Sequence, residues 1–146
     1  MADFAATVKN WTERTKKAQE HIFKSAVQDL ADEILLPKER GGKMPVDTGN
    51  LRRSLMASTS AMPTVRTGQV TFNEGEQQVA LTIAGMNIKE TLFLGFQAEY
   101  AMRMEYGFVG QDSLGRNYNQ AGNSFVGSAV QNWQKIVDKA AKEYDK

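Results

Sequence analysis

The apolar pattern between positions 3 and 36 constrains what this chain can fold into more than any other feature. Phe4, Val8, Trp11, Ala18, Ile22, Ala26, Leu30 and Ile34 follow steps of three, four or seven, which places their side chains on one face of an α-helix. Pro37 and then Gly41-Gly42 end the pattern, because proline cannot continue the helical hydrogen bonding. At 1.5 Å per residue, about 33 helical residues span roughly 50 Å. A chain of 146 residues makes one domain with a modest core, so such a rod outruns the body it belongs to. Two readings stay open: one long helix with part of its apolar face lacking an intramolecular partner, or two helices broken near Thr12–Thr15.

The chain downstream reads as a mixed α+β domain. Asp47 is a good N-cap for a short helix from Thr48 to about Ser58, with Leu51 and Leu55 on one face and Pro63 blocking extension. Gln69–Asn73 and Gln78–Ala84 alternate apolar and polar residues, which predicts two strands joined at Asn73–Glu76. Thr91–Gln97 is a further apolar run, read as a strand buried on both faces, and Thr64–Thr67 offers a fourth. Glu99–Tyr106 reads as a short helix stopped by Gly107. Val109–Ser124 reads as a polar, glycine-containing loop, and Phe125–Tyr144 as a second long amphipathic helix. The expected architecture is long N- and C-terminal helices packed on an antiparallel sheet of three to four strands, with two short helices. It divides one domain, 1–146, into a long helix and turn (1–43), a central part (44–107), a polar loop (108–124) and a terminal helix (125–146).

Charge argues against a nucleic-acid grip. Residues 1–44 carry 8 basic and 7 acidic side chains, residues 45–98 carry 4 and 4, and residues 99–146 carry 6 and 6. Phosphate binding normally gathers Lys and Arg on one segment or face. The absence of cysteine removes disulfides, zinc–thiolate sites and thiol nucleophiles. The N-terminus lacks the basic and apolar regions of a signal peptide, and no stretch has the roughly 20 apolar residues of a membrane-spanning helix. The expected product is soluble and cytosolic where it is made.

Chemistry-bearing constellations are sparse. His21, the single histidine, lies in the first helical pattern with no second histidine at metal-ligand spacing. No serine sits in a Gly-x-Ser-x-Gly elbow, and Gly107-Phe108-Val109-Gly110 and Gly41-Gly42-Lys43 lack the spacing of a phosphate-binding loop. Asp32-Glu33 are adjacent on a helix and point apart, unlike an acid–base couple. Met102 and Met104 read as fillers of irregular contacts. Arg52 and Arg53 are either contacts to a partner subunit's carboxylates or to passing DNA, or solvated arginines on a short helix, and the solvated reading is taken for at least one of them. The expectation is a protein that is not an enzyme and holds no cofactor or metal.

Three segments together resemble a known family. Pro45-Val46-Asp47-Thr48-Gly49-Asn50-Leu51-Arg52-Arg53-Ser54-Leu55 is similar to a P-V-D-T-G-x-L-R-x-S signature. Tyr100-Ala101-Met102-Arg103-Met104-Glu105-Tyr106-Gly107 is similar to Y-A-x-x-x-E-[FY]-G, and Ser124-Phe125-Val126-Gly127-Ser128-Ala129-Val130 resembles the P-F-L-x-x-A opening of a terminal helix that follows both. These motifs, in this order, resemble those of the small tail-component proteins of long-tailed bacteriophages, the tail-completion or head–tail joining proteins. Where that family often carries a proline before the phenylalanine, this chain has Asn123-Ser124.

The resemblance implies a virion protein of the tail or neck, made in the host cytoplasm, that forms a homo-oligomeric ring, six-fold by analogy with tail rings. It implies contacts with neighbouring neck or tail proteins, at most non-specific proximity to DNA in the channel, and no membrane. Asp47, Thr48, Gly49, Leu51, Arg52, Arg53, Tyr100, Glu105, Gly107 and Phe125 are the structural or interface residues it points to. One arginine of the Arg52-Arg53 pair is expected to bind Glu105, within the domain or across an interface. A portal-bound head-closure adaptor, and a nucleic-acid-binding module using Arg52, Arg53 and Arg66, are the alternatives.

Overall fold

A computed structural model describes residues 2–73 and 75–145. The first helix, α1 (Ala2–Leu35), is unbroken through Thr12–Thr15. Thr7, Thr12 and Thr15 turn their hydroxyls back to carbonyls four residues earlier, so these polar positions are absorbed without breaking the helix. After Pro37 a single 3-10 turn (Lys38–Arg40) reverses the chain, and Met44 returns alongside Leu36 and Lys38 with its side chain fully buried.

The next helix, α2, is only Asn50–Arg53, and Leu55–Ser58 is a strand, β1, in place of the longer helix expected there. Leu55 and Ala57 point into the core, the period of two that a half-buried strand requires. β1 pairs antiparallel with β2 (Phe93–Phe96), Leu55 opposite Phe96 and Ser58 opposite Phe93. β2 confirms the expected strand in Thr91–Gln97, although its residues are half-buried.

The expected strand Gln78–Ala84 is instead part of a helix, α3 (Gly75–Gly85). Val79 and Ile83 are buried and Leu81 is 72% exposed, so the buried pair is a helical i, i+4 couple and the alternation was coincidental. Gln69–Asn73 and Thr64–Thr67 form no strands. Of the expected Asn73–Glu76 connection, Glu74 lies outside the described residues, while Gly75 and Glu76 open α3. Asn50 holds the 70–72 segment: its side chain donates to the Val70 carbonyl and accepts the Phe72 N–H at 2.9 Å. The sheet therefore has two strands, and α3 supplies what a third would. The Gln78 amide accepts the Ala57 N–H at 2.8 Å and donates to the Ala57 carbonyl at 2.7 Å, closing the outer edge of β1.

The short helix α4 (Ala101–Tyr106) ends at Gly107 as expected. The segment read as a polar loop is an antiparallel hairpin, β3 (Gly107–Gln111) with β4 (Asn117–Ala121). Its polar, mostly exposed strands lack an apolar face, which hid it from a search for alternation; Phe108 and Tyr118 pack on each other across it. The last helical stretch is divided into α5 (Phe125–Gln131) and α6 (Trp133–Tyr144) at Asn132, whose side chain bonds Glu33 at 2.7 Å.

Helix α6 runs antiparallel to α1, since Asn132 meets Glu33 and Tyr144 packs on His21 with ring centroids 5.2 Å apart. The main core draws Val27, Ala31 and Ile34 of α1 together with Leu51, Leu55, Phe72, Val79 and Phe125. A smaller cluster, Ala26 with Ile136 and Ala140, seals α1 against α6. The architecture is α+β, as expected, with a smaller sheet.

Candidate functional site

The three motif segments, far apart in the chain, meet at one end of the molecule. Pro45 to Leu51 form one wall of a cavity of about 380 Å³ whose other side is Tyr100 and Met104 of the second segment. Ser54 accepts the Gln97 N–H at 2.9 Å, which brings the chain to α4 in register with the first motif. Phe96 meets the Phe125 ring edge-on at 5.5 Å.

Within the first segment, Asp47 does not cap the helix. Gly49 occupies the N-cap position with φ 80°, a left-handed conformation that glycine adopts without strain, and no side chain caps there. Thr48 accepts the Asn50 N–H on its hydroxyl at 3.3 Å, so the turn is closed by Thr48, and Asp47 stays exposed on the cavity wall. Leu51 is buried in the core.

Arg52 and Arg53 both find partners, and neither is Glu105. Arg52 pairs with Glu76 at 2.7 Å. Arg53 donates to the Phe72 carbonyl at 2.9 Å and the Thr48 carbonyl at 3.3 Å, clamping the first motif to the segment that leads into α3. The expected arginine–Glu105 pair is not formed within the chain, because Glu105 is turned inward to a different task.

Glu105 is 8% exposed. Its two carboxylate oxygens accept the N–H groups of Val126 at 3.1 Å and Gly127 at 2.8 Å, the otherwise unpartnered donors at the start of α5. Its backbone carbonyl takes the Ser124 N–H at 3.0 Å. Ser124, the residue before α5, sits at φ 50° and makes no side-chain cap, so the carboxylate from α4 performs the capping that a local serine would normally perform. A carboxylate there also meets the positive end of the helix dipole favourably.

Gly107 is required by geometry as well as by its φ of 86°. A Cβ on it would lie 2.5 Å from the Gln120 carbonyl oxygen, so only glycine lets β3 leave α4 while touching β4. Beside it, Arg103 lies over the Phe108 ring, 4.0 Å from its centroid, tying α4 to the hairpin. Tyr100 precedes α4, exposed at the cavity mouth, and Phe125 is buried at the start of α5.

Sequence reasoning missed Asn50 and Gln78, whose amides hold backbone in two places. Nothing in a single sequence distinguishes an amide that bonds backbone from one in water. On the far side of the motif cluster, Val65, Met102 and Tyr106 stand exposed around a groove of about 320 Å³ floored by Phe96, Ala98 and Phe125. At the opposite end of the molecule, α1 extends about 28 Å beyond His21, and Phe4 (74% exposed), Val8 and Trp11 (61%) lie uncovered along it. Among the described residues no three His, Asp or Glu side chains are grouped to hold a metal ion, and no helix is long and apolar enough to cross a membrane. Compared with known protein families, curated proteins and solved structures, the chain matches none.

Proposed function

We propose that this chain is a structural, non-catalytic component of a long-tailed bacteriophage particle that completes the tail, or joins head to tail at the neck, by assembling into a ring. The observation that carries the reading is the convergence of the three motif segments. The first and second enclose one cavity, and the second caps the helix opened by the third through Glu105. Residues that resemble a family signature thus support one another in space, as motifs serving one shared architecture do. The uncovered apolar stripe of α1 adds to this, since a hydrophobic face of that kind is the ordinary mark of an assembly surface.

The ring is built from copies of this chain, six-fold by analogy with tail rings, and contacts neighbouring neck or tail proteins. Balanced charge along the chain suits a channel through which DNA slides without being held. The protein resides in the virion after assembly in the host cytoplasm. The test is the mass of the purified protein by light scattering, with electron microscopy of the protein alone and after mixing with isolated tails or portals. A closed ring, free or formed only on those particles, supports the reading. A stable monomer that joins neither heads nor tails overturns it.

A further inference from the structure

We propose that the N-terminal arm of α1 docks into the groove between α4 and α5 of a second copy of this chain; the inference rests on the ring reading and specifies its subunit contact. The arm cannot satisfy its own groove. Glu33 is bonded to Asn132, and Phe125 belongs to the core built on Ala31, Ile34 and Leu35, at the end of α1 away from the arm. Along an unbroken α1, Trp11 is about 36 Å from Leu35. Arm and groove therefore sit at opposite ends of one rigid axis, and a copy that presents one needs another copy to cover it.

The two surfaces are complementary. Phe4, Val8, Trp11, Thr15 and Ala18 are spaced by steps of four and three, a narrow seam suited to packing against one apolar groove. Residues 3–17 carry Lys9, Arg14, Lys16 and Lys17 against Asp3 and Glu13. The groove is lined mainly by apolar side chains, and its exposed charged residue, Glu99, is acidic, with the buried Glu105 carboxylate beneath adding charge of the same sign. An arm paired with a second arm would instead set basic flanks against basic flanks.

Phe4 and Trp11 together supply roughly 400 Å² of buried area, about 800 Å² when the groove is counted, which is below the roughly 1,200 Å² at which stable interfaces begin and marks a single contact as weak. One such contact holds two copies weakly. A heterologous contact repeated around a closing rotation gains at closure, where the last contact forms within one assembly and each copy is held on two sides.

The chain has no cysteine, so two can be placed at will. Thr12→Cys on the arm and Met102→Cys on α4, the latter position 72% exposed, are made as separate proteins. They are mixed at high concentration and oxidised, and the linked peptides are identified by mass spectrometry. A 12–102 adduct is expected, and Trp11→Ala in the arm partner lowers its yield about tenfold while leaving the circular dichroism of the separate proteins unchanged. Adducts of 12 with 12 alone, or no 12–102 adduct at all, overturn the docking. The particle-binding and imaging test of the ring reading does not use these cysteines, so failure of the docking is distinguishable from failure of the ring.

Discussion

The carboxylate of Glu105 accepts the amide N–H of Gly127 at 2.8 Å across a gap of 22 residues in sequence. This buried, charge-assisted bond makes the start of α5 depend on α4, and it joins the second and third motif segments into one unit. A glutamate in a motif that ends in Gly107 thereby has a definite physical role: α4 must stop where it does for Glu105 to face α5.

Glu105→Ala leaves the Val126 and Gly127 N–H groups without acceptors in a place water reaches poorly. It is expected to lower unfolding free energy by about 3 kcal/mol, and Glu105→Gln, which keeps one acceptor oxygen, by roughly half as much. Urea unfolding followed by tryptophan fluorescence measures both. A neutral effect of Glu105→Ala would show that the cap contributes nothing.

The Gln78 side chain closes the outer edge of β1 through two bonds to Ala57. Gln78→Ala is expected to cost about 1–2 kcal/mol and to speed hydrogen exchange at the Ala57 amide, while the amides of α6 keep their protection. Exchange unchanged at Ala57 would mean that the edge is guarded by something else.

Asp112 organises the hairpin tip. It accepts the Arg116 and Leu114 N–H groups, each at 2.9 Å, and also contacts the Arg116 guanidinium and the Tyr118 hydroxyl. The backbone N–H of Arg116 is the largest influence holding its carboxyl below the ordinary value of 3.8. A depressed folded value means that the stabilising effect is complete above the unfolded value and is lost as pH falls through the folded one. Titration by nuclear magnetic resonance should place the Asp112 midpoint below 3.8, and Asp112→Asn should hasten exchange at Leu114 and Arg116.

Asp29 behaves in the opposite sense. Desolvation between α1 and α6 raises its carboxyl above 3.8, and Asp32 and Glu143 add to the rise, while Lys139 pulls the other way. A raised folded value means that ionising the group costs stability as pH climbs from the unfolded value through the folded one. Asp29→Asn is expected to raise the urea midpoint at neutral pH, with the gain shrinking to nothing in acid below the unfolded value. A lowered midpoint at neutral pH would mean that attraction to Lys139 outweighs desolvation.

Much of the helical framework was legible. The face from Ile22 to Ile34 is the one buried against α3, α5 and α6, and Gly107 stops α4 where a helix terminator belongs. The excess length of α1 was one of two readings the pattern allowed, and the unbroken helix through Thr12–Thr15 selects it. The motif residues were found, but their tasks were misassigned. Asp47 looked like a cap where Gly49 and Thr48 shape the turn, and an arginine looked like the partner of Glu105 where backbone N–H groups fill that place. Charge type and spacing do not say whether a carboxylate faces a guanidinium or a helix end.

The sequence by itself determined the α+β class, the helical character and apolar stripe of the first 36 residues, and the three segments that carry the resemblance; that the stripe forms one unbroken helix was decided by the structure. These follow from periodicity and from residues with special backbone demands, which act within a few positions of the chain. Only the tertiary structure decided whether Gln78–Ala84 would be strand or helix. Val79, Leu81 and Ile83 fit the period of a strand, and Val79 with Ile83 fits that of a helix; the choice fell to packing, in which Val79 and Ile83 face the core while Leu81 turns to water. The hairpin in the polar segment and the Glu105 cap were likewise settled by contacts between residues distant in sequence. Such contacts release free energy only when both partners are already in place, and no local pattern records them.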